Sequence, residues 1–150
     1  MGKVYLESQV GVWEVITADG FLTKINLVDR AGEENSDEVG EEAKRQLSAY
    51  FAGELKAFDL PIKLGGKGFC LKVWESMRTI PYGKTVTYGD LASMAGSPKA
   101  YRSAGSCAGK NPIPIIVPCH RVVASNGLGG FGLGLDVKKY LLALEQEYSS

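Results

Sequence analysis

The sequence predicts an α+β protein of two small domains, a short antiparallel sheet with one helix followed by a mostly helical region. Three observations support this prediction. Three strand-like segments fill much of the first 28 positions around the turn dipeptide Asp19-Gly20, and apolar residues recur at helical spacing from Val39 onward. A cluster of Pro and Gly between residues 61 and 68 then interrupts every periodicity, which is typical of a linker.

The first predicted domain, residues 1–60, contains three strands and a helix. The strands are expected at residues 4–7, 12–17 and 21–28, and Asp19-Gly20 closes a hairpin between the last two. The helix is expected behind the acidic turn Asp37-Glu38 and should end at Gly53. Its buried face would carry the apolar residues Val39, Ala43, Leu47 and Tyr50.

The second predicted domain, residues 68–150, follows a linker at residues 61–67. A first helix is expected from the spacing of Phe69, Val73, Met77 and Ile80, with Pro81 and Gly83 ending it. Thr87 and Asp90 then form a capping box for a short helix.

A second short helix is expected from Pro98 to about Ala108, because Gly96 and Ser97 separate it from the first in a helix-turn-helix outline. Only Tyr101 and Arg102 project far from this otherwise small-residue helix, so it can approach another surface closely. Taken alone, this composition favours packing on a neighbouring helix slightly over DNA contact.

Bulk properties narrow the class of protein. The 150 residues are 45% apolar and 23% charged, with no apolar run of membrane-spanning length and no signal peptide, so we expect a monomeric, cytoplasmic protein without membrane contact. Three cysteines do not indicate a disulfide framework; they fit a reducing compartment and leave at least one thiol free. The net charge is zero, but residues 1–65 carry 7 Lys/Arg against 12 Asp/Glu, and residues 66–150 carry 10 against 5. An anionic partner would therefore meet the second half.

The candidate chemistry lies at Cys119. An apolar run with three prolines, residues 112–118, leads into Cys119 and His120, the single histidine of the chain. An imidazole can help a thiol become the attacking thiolate. On these two residues alone, a buried cysteine beside a turn-capping histidine remains the better interpretation. A zinc site would need more ligands, and a papain-like protease would need a histidine distant in sequence.

The run from Asn111 to Val123 resembles the signature of the O6-alkylguanine-DNA alkyltransferases. The resemblance extends over the second half, through Val73-Trp74, residues 80–88 and Arg102 upstream and residues 141–145 downstream. The first half resembles the family in outline only. The resemblance implies an RNase H-like first domain and irreversible, single-turnover transfer of an alkyl group from O6-alkylguanine, and also from O4-alkylthymine, to the protein. No cofactor or metal is implied.

The resemblance assigns catalytic roles to five residues. Cys119 would accept the alkyl group, His120 would withdraw the thiol proton through a water, and Glu145 would orient the imidazole. Tyr88 would donate a hydrogen bond to the guanine, and Asn111 would be the hinge that connects the recognition helix to the active-site turn. Arg121 is expected to form a buried ion pair behind that turn.

The resemblance also implies contacts to substrate and DNA. The carbonyls of Cys119 and Val122 would accept the guanine amino group and the N–H of Gly132 would meet O6, with Pro114, Phe131, Leu133 and Lys138 completing the pocket. Arg102 would fill the gap left by a flipped base in double-stranded DNA, beside the helix residues Ala100, Tyr101, Ser103 and Gly105. Cooperative binding on DNA stays open.

Four departures from the family pattern are visible, one of which is that the glycine-rich stretch at residues 127–131 is one residue shorter than in some relatives. Cys70 stands where Gln is common, Tyr101 where a small residue is common, and Phe131 where Tyr is frequent. We expect Cys70 and Cys107 to be buried and inert, and their redox role stays open. The rival interpretation is a non-catalytic alkyltransferase-like protein that binds damaged DNA, but such relatives lack the acceptor cysteine.

Overall fold

A computed structural model describes residues 1–149, which divide into two compact units, one spanning Met1–Leu64 and the other beginning at Gly65. The first is a three-stranded antiparallel sheet with one helix, and the second is mostly helical. The predicted α+β class is confirmed. Among the described residues, no helix is long and apolar enough to cross a membrane.

The sheet of the first unit has the strand order β1 (Gly2–Ser8), β2 (Gly11–Ala18) and β3 (Phe21–Val28). Asp19 and Gly20 both have positive φ, 52° and 82°, as the predicted two-residue hairpin turn requires. The observed strands include all the predicted ranges and extend β1 and β2 by one or two residues at their ends.

Helix α1 (Glu38–Phe51) packs on this sheet. The Asp37 side chain caps it by accepting a hydrogen bond from the Gly40 N–H at 2.7 Å, and Gly53 follows its end with φ 78°. The fully buried Trp13, Val15, Leu47 and Tyr50 belong to the core of this unit. Among the four apolar helix residues predicted to face the core, Val39 is half-buried and the others are buried.

The second unit begins with α2 (Gly68–Met77), β4 (Val86–Thr87) and α3 (Tyr88–Met94). The predicted capping box is present, since the Thr87 hydroxyl accepts from the Asp90 N–H at 3.1 Å and the Asp90 carboxylate accepts from the Thr87 N–H at 3.0 Å. The expected extension of α2 to Ile80 is wrong, because the helix ends at Met77 and Ile80 is buried in the turn that follows.

The chain continues with α4 (Tyr101–Gly109), a 3₁₀ turn (Cys119–Arg121), β5 (Val122–Val123) and α5 (Leu135–Glu147). The predicted start of α4 at Pro98 is wrong by three residues. The Ala100 N–H donates to the Ser97 carbonyl at 2.9 Å, which makes residues 97–100 a turn ahead of the helix.

A short parallel pairing sets the position of the active-site turn. β4 and β5 pair in parallel through Val86 with Val122 and Thr87 with Val123. Tyr88 directly follows β4, and Cys119 lies three residues before β5. The pairing therefore holds the start of α3 beside the turn that carries the cysteine.

Candidate active site and DNA-binding helix

Cys119 lies at the end of the apolar run, residues 113–118 of which are buried. Within it, Ile115 has φ 74°, a left-handed conformation that a β-branched side chain rarely adopts. The Val117 N–H donates to the Ile113 carbonyl at 2.9 Å and the Cys119 N–H to the Val117 carbonyl at 2.8 Å. These two hydrogen bonds close tight turns, and the chain then continues into the 3₁₀ turn that begins at Cys119.

The Cys119 thiol is free and 8% exposed. Burial raises its pKa above the ordinary 9.0, while a hydrogen bond from the Asn111 side chain and the charge of Lys138 act in the opposite direction. At neutral pH the resting group is therefore a thiol, and it must lose a proton in order to attack.

His120 and Glu145 form a buried pair. The Nε2 atom of His120 lies 2.6 Å from Oε2 of Glu145, and both side chains are almost completely excluded from solvent. Burial lowers the pKa of His120 below 6.5, although Glu145 opposes this. The imidazole is consequently neutral at pH 7, and its buried Nδ1 has no hydrogen-bond partner among the described residues.

Arg121 shares the same carboxylate. Its Nε donates to Oε1 of Glu145 at 2.8 Å, its Nη2 donates to Oε2 at 3.0 Å, and its Nη1 donates to the Ile80 carbonyl at 2.7 Å. The Gly83 N–H donates to Oε1 of Glu145 at 3.1 Å. The expected buried ion pair at Arg121 is confirmed, and the charge of Glu145 is compensated inside the fold.

Asn111 connects the end of the helix-turn-helix to the active-site turn. It lies two residues after Gly109, the last residue of α4, and its Nδ2 donates to the Val117 carbonyl at 2.7 Å. Its Oδ1 accepts from the Ile113 N–H at 3.0 Å, and its side chain also hydrogen-bonds to the Cys119 thiol. One amide thus holds both ends of the apolar run and the nucleophile.

Lys138 supports the glycine-rich segment, which we define as residues 127–132. Its buried Nζ donates to the carbonyls of Val122 at 2.7 Å, Leu128 at 2.6 Å and Gly130 at 3.0 Å. An ammonium group has three N–H donors, so these three bonds use all of them. Sequence reasoning placed Lys138 in the substrate pocket but missed this bracing role, which the spacing alone does not reveal.

Tyr88 lies against the same segment. Its hydroxyl donates to the Gly130 carbonyl at 3.4 Å, and burial raises its pKa above 10.0. Gly129 has φ 74°, and a Cβ there would lie 2.7 Å from the Tyr88 hydroxyl oxygen. A glycine is required at this position because both the backbone conformation and the tyrosine exclude a side chain.

The predicted pocket residues occupy different environments. Val122 and Pro114 are buried, Phe131 and Leu133 are half-buried, and Gly132 is exposed. The Phe131 ring centroid lies 5.8 Å from the Lys138 Nζ. A Cβ added to Gly132 would lie 3.4 Å from the Gly109 carbonyl oxygen, so this position is close to the end of α4.

Helix α4 presents a mostly small outer face. Tyr101, Arg102 and Ser103 are exposed and Ala100 is half-buried, with the Arg102 guanidinium 5.9 Å from the Tyr101 ring centroid. Gly105 faces the Tyr88 ring, which a Cβ would meet at 3.3 Å.

Cys70 and Cys107 are joined by a disulfide with a Cα–Cα distance of 5.0 Å. The expectation that three cysteines indicate no disulfide is therefore wrong, and Cys70, which was expected to be buried, is half-buried. Cys70 lies in the first turn of α2 and Cys107 near the end of α4, and packing of these helices brings the two thiols together. The pairing could not be found from the sequence because nothing in it specifies which faces of two helices meet 37 residues apart. The prediction of one free thiol is confirmed at Cys119.

The described residues contain no group of three or more His, Cys, Asp or Glu side chains placed to hold a metal ion. What the site offers is a thiol nucleophile, a neutral imidazole held by a carboxylate, and a helix-turn-helix in the same compact unit. These features define a class of DNA-directed protein that uses a cysteine as its nucleophile.

Comparisons with known proteins agree with this class and specify it. Residues 68–147 match the family model described as 6-O-methylguanine DNA methyltransferase, DNA binding domain, and residues 1–64 match its ribonuclease-like domain. The chain therefore belongs to the 6-O-methylguanine DNA methyltransferase family. The ribonuclease-like match also confirms the expected character of the first domain.

Individual relatives match from about three quarters of the chain to nearly all of it. It is 43% identical to a methylated-DNA–protein-cysteine methyltransferase of Mycolicibacterium paratuberculosis, over 96% of this chain and 92% of the relative. It is 52% identical to a protein of the same name from Methanosarcina acetivorans, over 73% of this chain and 71% of the relative. The crystal structure of a Mycobacterium tuberculosis O6-methylguanine methyltransferase superposes with a TM-score of 0.88 at 38% identity, covering 99% of this chain and 94% of that one. The M. tuberculosis protein has also been solved in complex with DNA.

Proposed function

We propose that this chain repairs alkylated DNA by transferring the alkyl group from O6 of guanine in double-stranded DNA to Cys119, once per molecule. The observation that carries the proposal is the free Cys119 thiol beside a neutral histidine that Glu145 holds in place. Family membership supports the reaction class, and the residue roles follow the family resemblance, with support from the geometry of the site.

In the proposed reaction, His120 takes the Cys119 proton through a bridging water. Adjacent side chains rarely align for direct transfer, and Nδ1 is the imidazole nitrogen that Glu145 leaves available. The thiolate sulfur then attacks the alkyl carbon. A carbon–sulfur bond forms, the bond to O6 breaks, and the electron pair leaves with the guanine.

Tyr88 and the glycine-rich segment are proposed to receive the base. The Tyr88 hydroxyl holds Gly130 through a long, 3.4 Å hydrogen bond, which it can exchange for a bond to the guanine. The carbonyls of Cys119 and Val122 would accept the guanine amino group, and the Gly132 N–H would bind O6. A carbonyl has two lone pairs, so Val122 can accept from both Lys138 and the base.

Helix α4 is proposed to enter the minor groove, with Arg102 in the space of the flipped base. Its exposed face is largely free of bulk, and the second half of the chain carries the excess of positive charge. Extruding a base costs a few kcal/mol, less for a damaged pair, so the damage itself favours capture.

We further propose domain limits at residues 1–60 and 68–150, with a linker between them. We also propose that the protein acts as a monomer and binds DNA in the cytoplasm. Transfer from O4-alkylthymine is proposed as a secondary reaction.

Intact-mass measurement tests the proposal. After mixing with duplex DNA that contains O6-methylguanine, each chain should gain one methyl group, mapped by peptide sequencing to Cys119. Undamaged duplex and the Cys119→Ser variant are the controls, and neither should react. Binding of the damaged duplex without any mass gain would support the rival damage-sensing function, and repeated turnover would exclude the proposal.

A further inference from the structure

We propose that the Cys70–Cys107 pair is a reversible thiol–disulfide switch that sets how firmly the recognition helix α4 is held, and thereby the affinity for DNA. The inference rests on the proposed role of α4 in DNA binding. It concerns cysteines that the alkyl-transfer reaction does not use.

Helix α4 is intrinsically weak. Its nine residues include two glycines and two serines, which are poor helix formers, and an isolated helix of this length is unstable in water. No side chain caps its N-terminus, and it has neither an acidic residue in its first turn nor a basic one in its last. The helix therefore depends on tertiary contacts for its order.

Those contacts concentrate near its C-terminal end. Besides the disulfide, the Trp74 indole N–H of α2 donates to the Cys107 carbonyl at 2.8 Å. Ala104, Cys107 and Ala108 are buried, while Tyr101 and Arg102 at the other end are exposed. The small buried side chains supply little apolar area, so the covalent bond is a large part of what fixes α4 on α2.

The disulfide also encloses most of the helix-turn-helix, because α3, the turn at residues 97–100 and α4 as far as Cys107 lie between its two cysteines. Opening the bond releases this segment from a closed loop and increases its conformational freedom. The active-site turn lies outside the loop and keeps its own supports at Asn111 and Glu145. Tyr88 and β4 lie inside the loop, but they stay joined to the pocket through the Gly130 carbonyl and β5.

The proposed switching step is thiol–disulfide exchange with a dithiol reductant. Its thiolate attacks Sγ of Cys70, which is the more exposed partner, and Cys107 leaves as a thiolate that takes up a proton. The second thiol of the reductant then resolves the mixed disulfide and releases Cys70, so that two electrons and two protons reach the protein. Exchange with a disulfide oxidant reverses the step. Cys119 is buried, with a raised thiol pKa, and is a slow partner in this exchange.

The test compares the oxidised protein, the same protein treated with dithiothreitol, and the double variant Cys70→Ser/Cys107→Ser. Affinity for undamaged duplex is measured by fluorescence anisotropy at one salt concentration, amide hydrogen exchange is followed at residues 101–109, and the rate with free O6-benzylguanine reports the pocket. Reduction should weaken DNA binding roughly tenfold and speed exchange in α4, with the free-base rate changed by less than about twofold. The double variant should have the DNA affinity and the exchange rates of the reduced protein, and dithiothreitol should not change them.

Three outcomes would overturn the inference. The first is the finding of three titratable thiols in the unfolded, unreduced protein, and the second is a DNA affinity that does not change on reduction. The third is a loss of hydrogen-exchange protection throughout the second unit, which would show that the disulfide stabilises the whole unit and not α4 in particular. Failure of alkyl transfer with a redox-sensitive DNA affinity would instead count against the proposed function alone.

Discussion

Glu145 of α5 holds His120 and Arg121 with one buried carboxylate, 2.6 Å from the His120 Nε2 and 2.8 Å from the Arg121 Nε. The same group therefore orients the proposed base and compensates a buried guanidinium. Glu145 therefore contributes both to the proposed catalysis and to the stability of the fold.

Replacing Glu145 with Gln should damage both properties. The buried Arg121 would lose its counter-ion, which typically costs about 3–5 kcal/mol, and the imidazole would lose the acceptor that orients it. Urea unfolding and the rate of alkyl transfer to Cys119 measure the two effects. The neighbouring exposed Gln146→Ala is the matched control and should behave as the parent protein. Full transfer activity in a destabilised Glu145→Gln protein would limit the carboxylate to a structural role.

The rate with free O6-benzylguanine should show a plateau in pH. General-base transfer needs a neutral His120 and a protonated Cys119 thiol. Because the pKa of His120 is lowered from 6.5 and that of Cys119 is raised from 9.0, both conditions hold between about pH 6.5 and 9.0. Below that window the rate falls as His120 becomes protonated. In His120→Ala only pre-formed thiolate can react, so its rate should rise about tenfold per pH unit across the same range. Parallel profiles for the two proteins would exclude His120 as the base.

Arg102→Ala should impair repair of duplex DNA far more than reaction with the free base, because the free base needs no extrusion. A loss of about tenfold or more in duplex is expected, with the free-base rate retained. Arg78→Ala, which removes another exposed arginine of the second unit, is the control for general charge loss. Equal losses of rate on the two substrates would show that Arg102 does not fill the space of the flipped base.

Lys138→Met should loosen the glycine-rich segment. Three carbonyls would lose the group that holds them, and an unmade buried hydrogen bond typically costs about 1–3 kcal/mol. We expect slower alkyl transfer and faster hydrogen exchange at residues 127–132. The adjacent, exposed Lys139→Met carries the same charge change and should leave both unaltered. If the two variants behave alike, the bracing role is wrong.

The sequence predicted features that depend on local chemistry. Asp19-Gly20, the helix start behind Asp37-Glu38 and the Thr87–Asp90 box each depend on a hydrogen bond or backbone preference within a few residues. The family signature located Cys119 and its neighbours.

Features created by tertiary packing could not be predicted. The disulfide depends on which faces of α2 and α4 meet, and Lys138 reaches back 8 to 16 residues to the three carbonyls that it binds. The positive φ of Ile115 contradicts the local preference of a β-branched residue, so only the surrounding packing can impose it.

Alkylation of Cys119 should destabilise the protein, because Cys119 is 8% exposed and follows the apolar run at residues 112–118, which contains three prolines and is buried from Ile113 onward. The added group also crowds the sulfur that accepts a hydrogen bond from Asn111, the residue that connects α4 to the active-site turn. Overpacking a tight site typically costs about 1–3 kcal/mol, enough to lower the melting temperature by several degrees in a protein of this size. A benzyl group should cost more than a methyl group, and the half-buried Leu133 should steepen this dependence by narrowing the pocket. Melting curves of unreacted, methylated and benzylated protein at one pH and concentration measure the series, with Cys119→Ser exposed to the same reagents as the control. Melting temperatures that stay level or rise across the series would show that the pocket accommodates the adduct without strain.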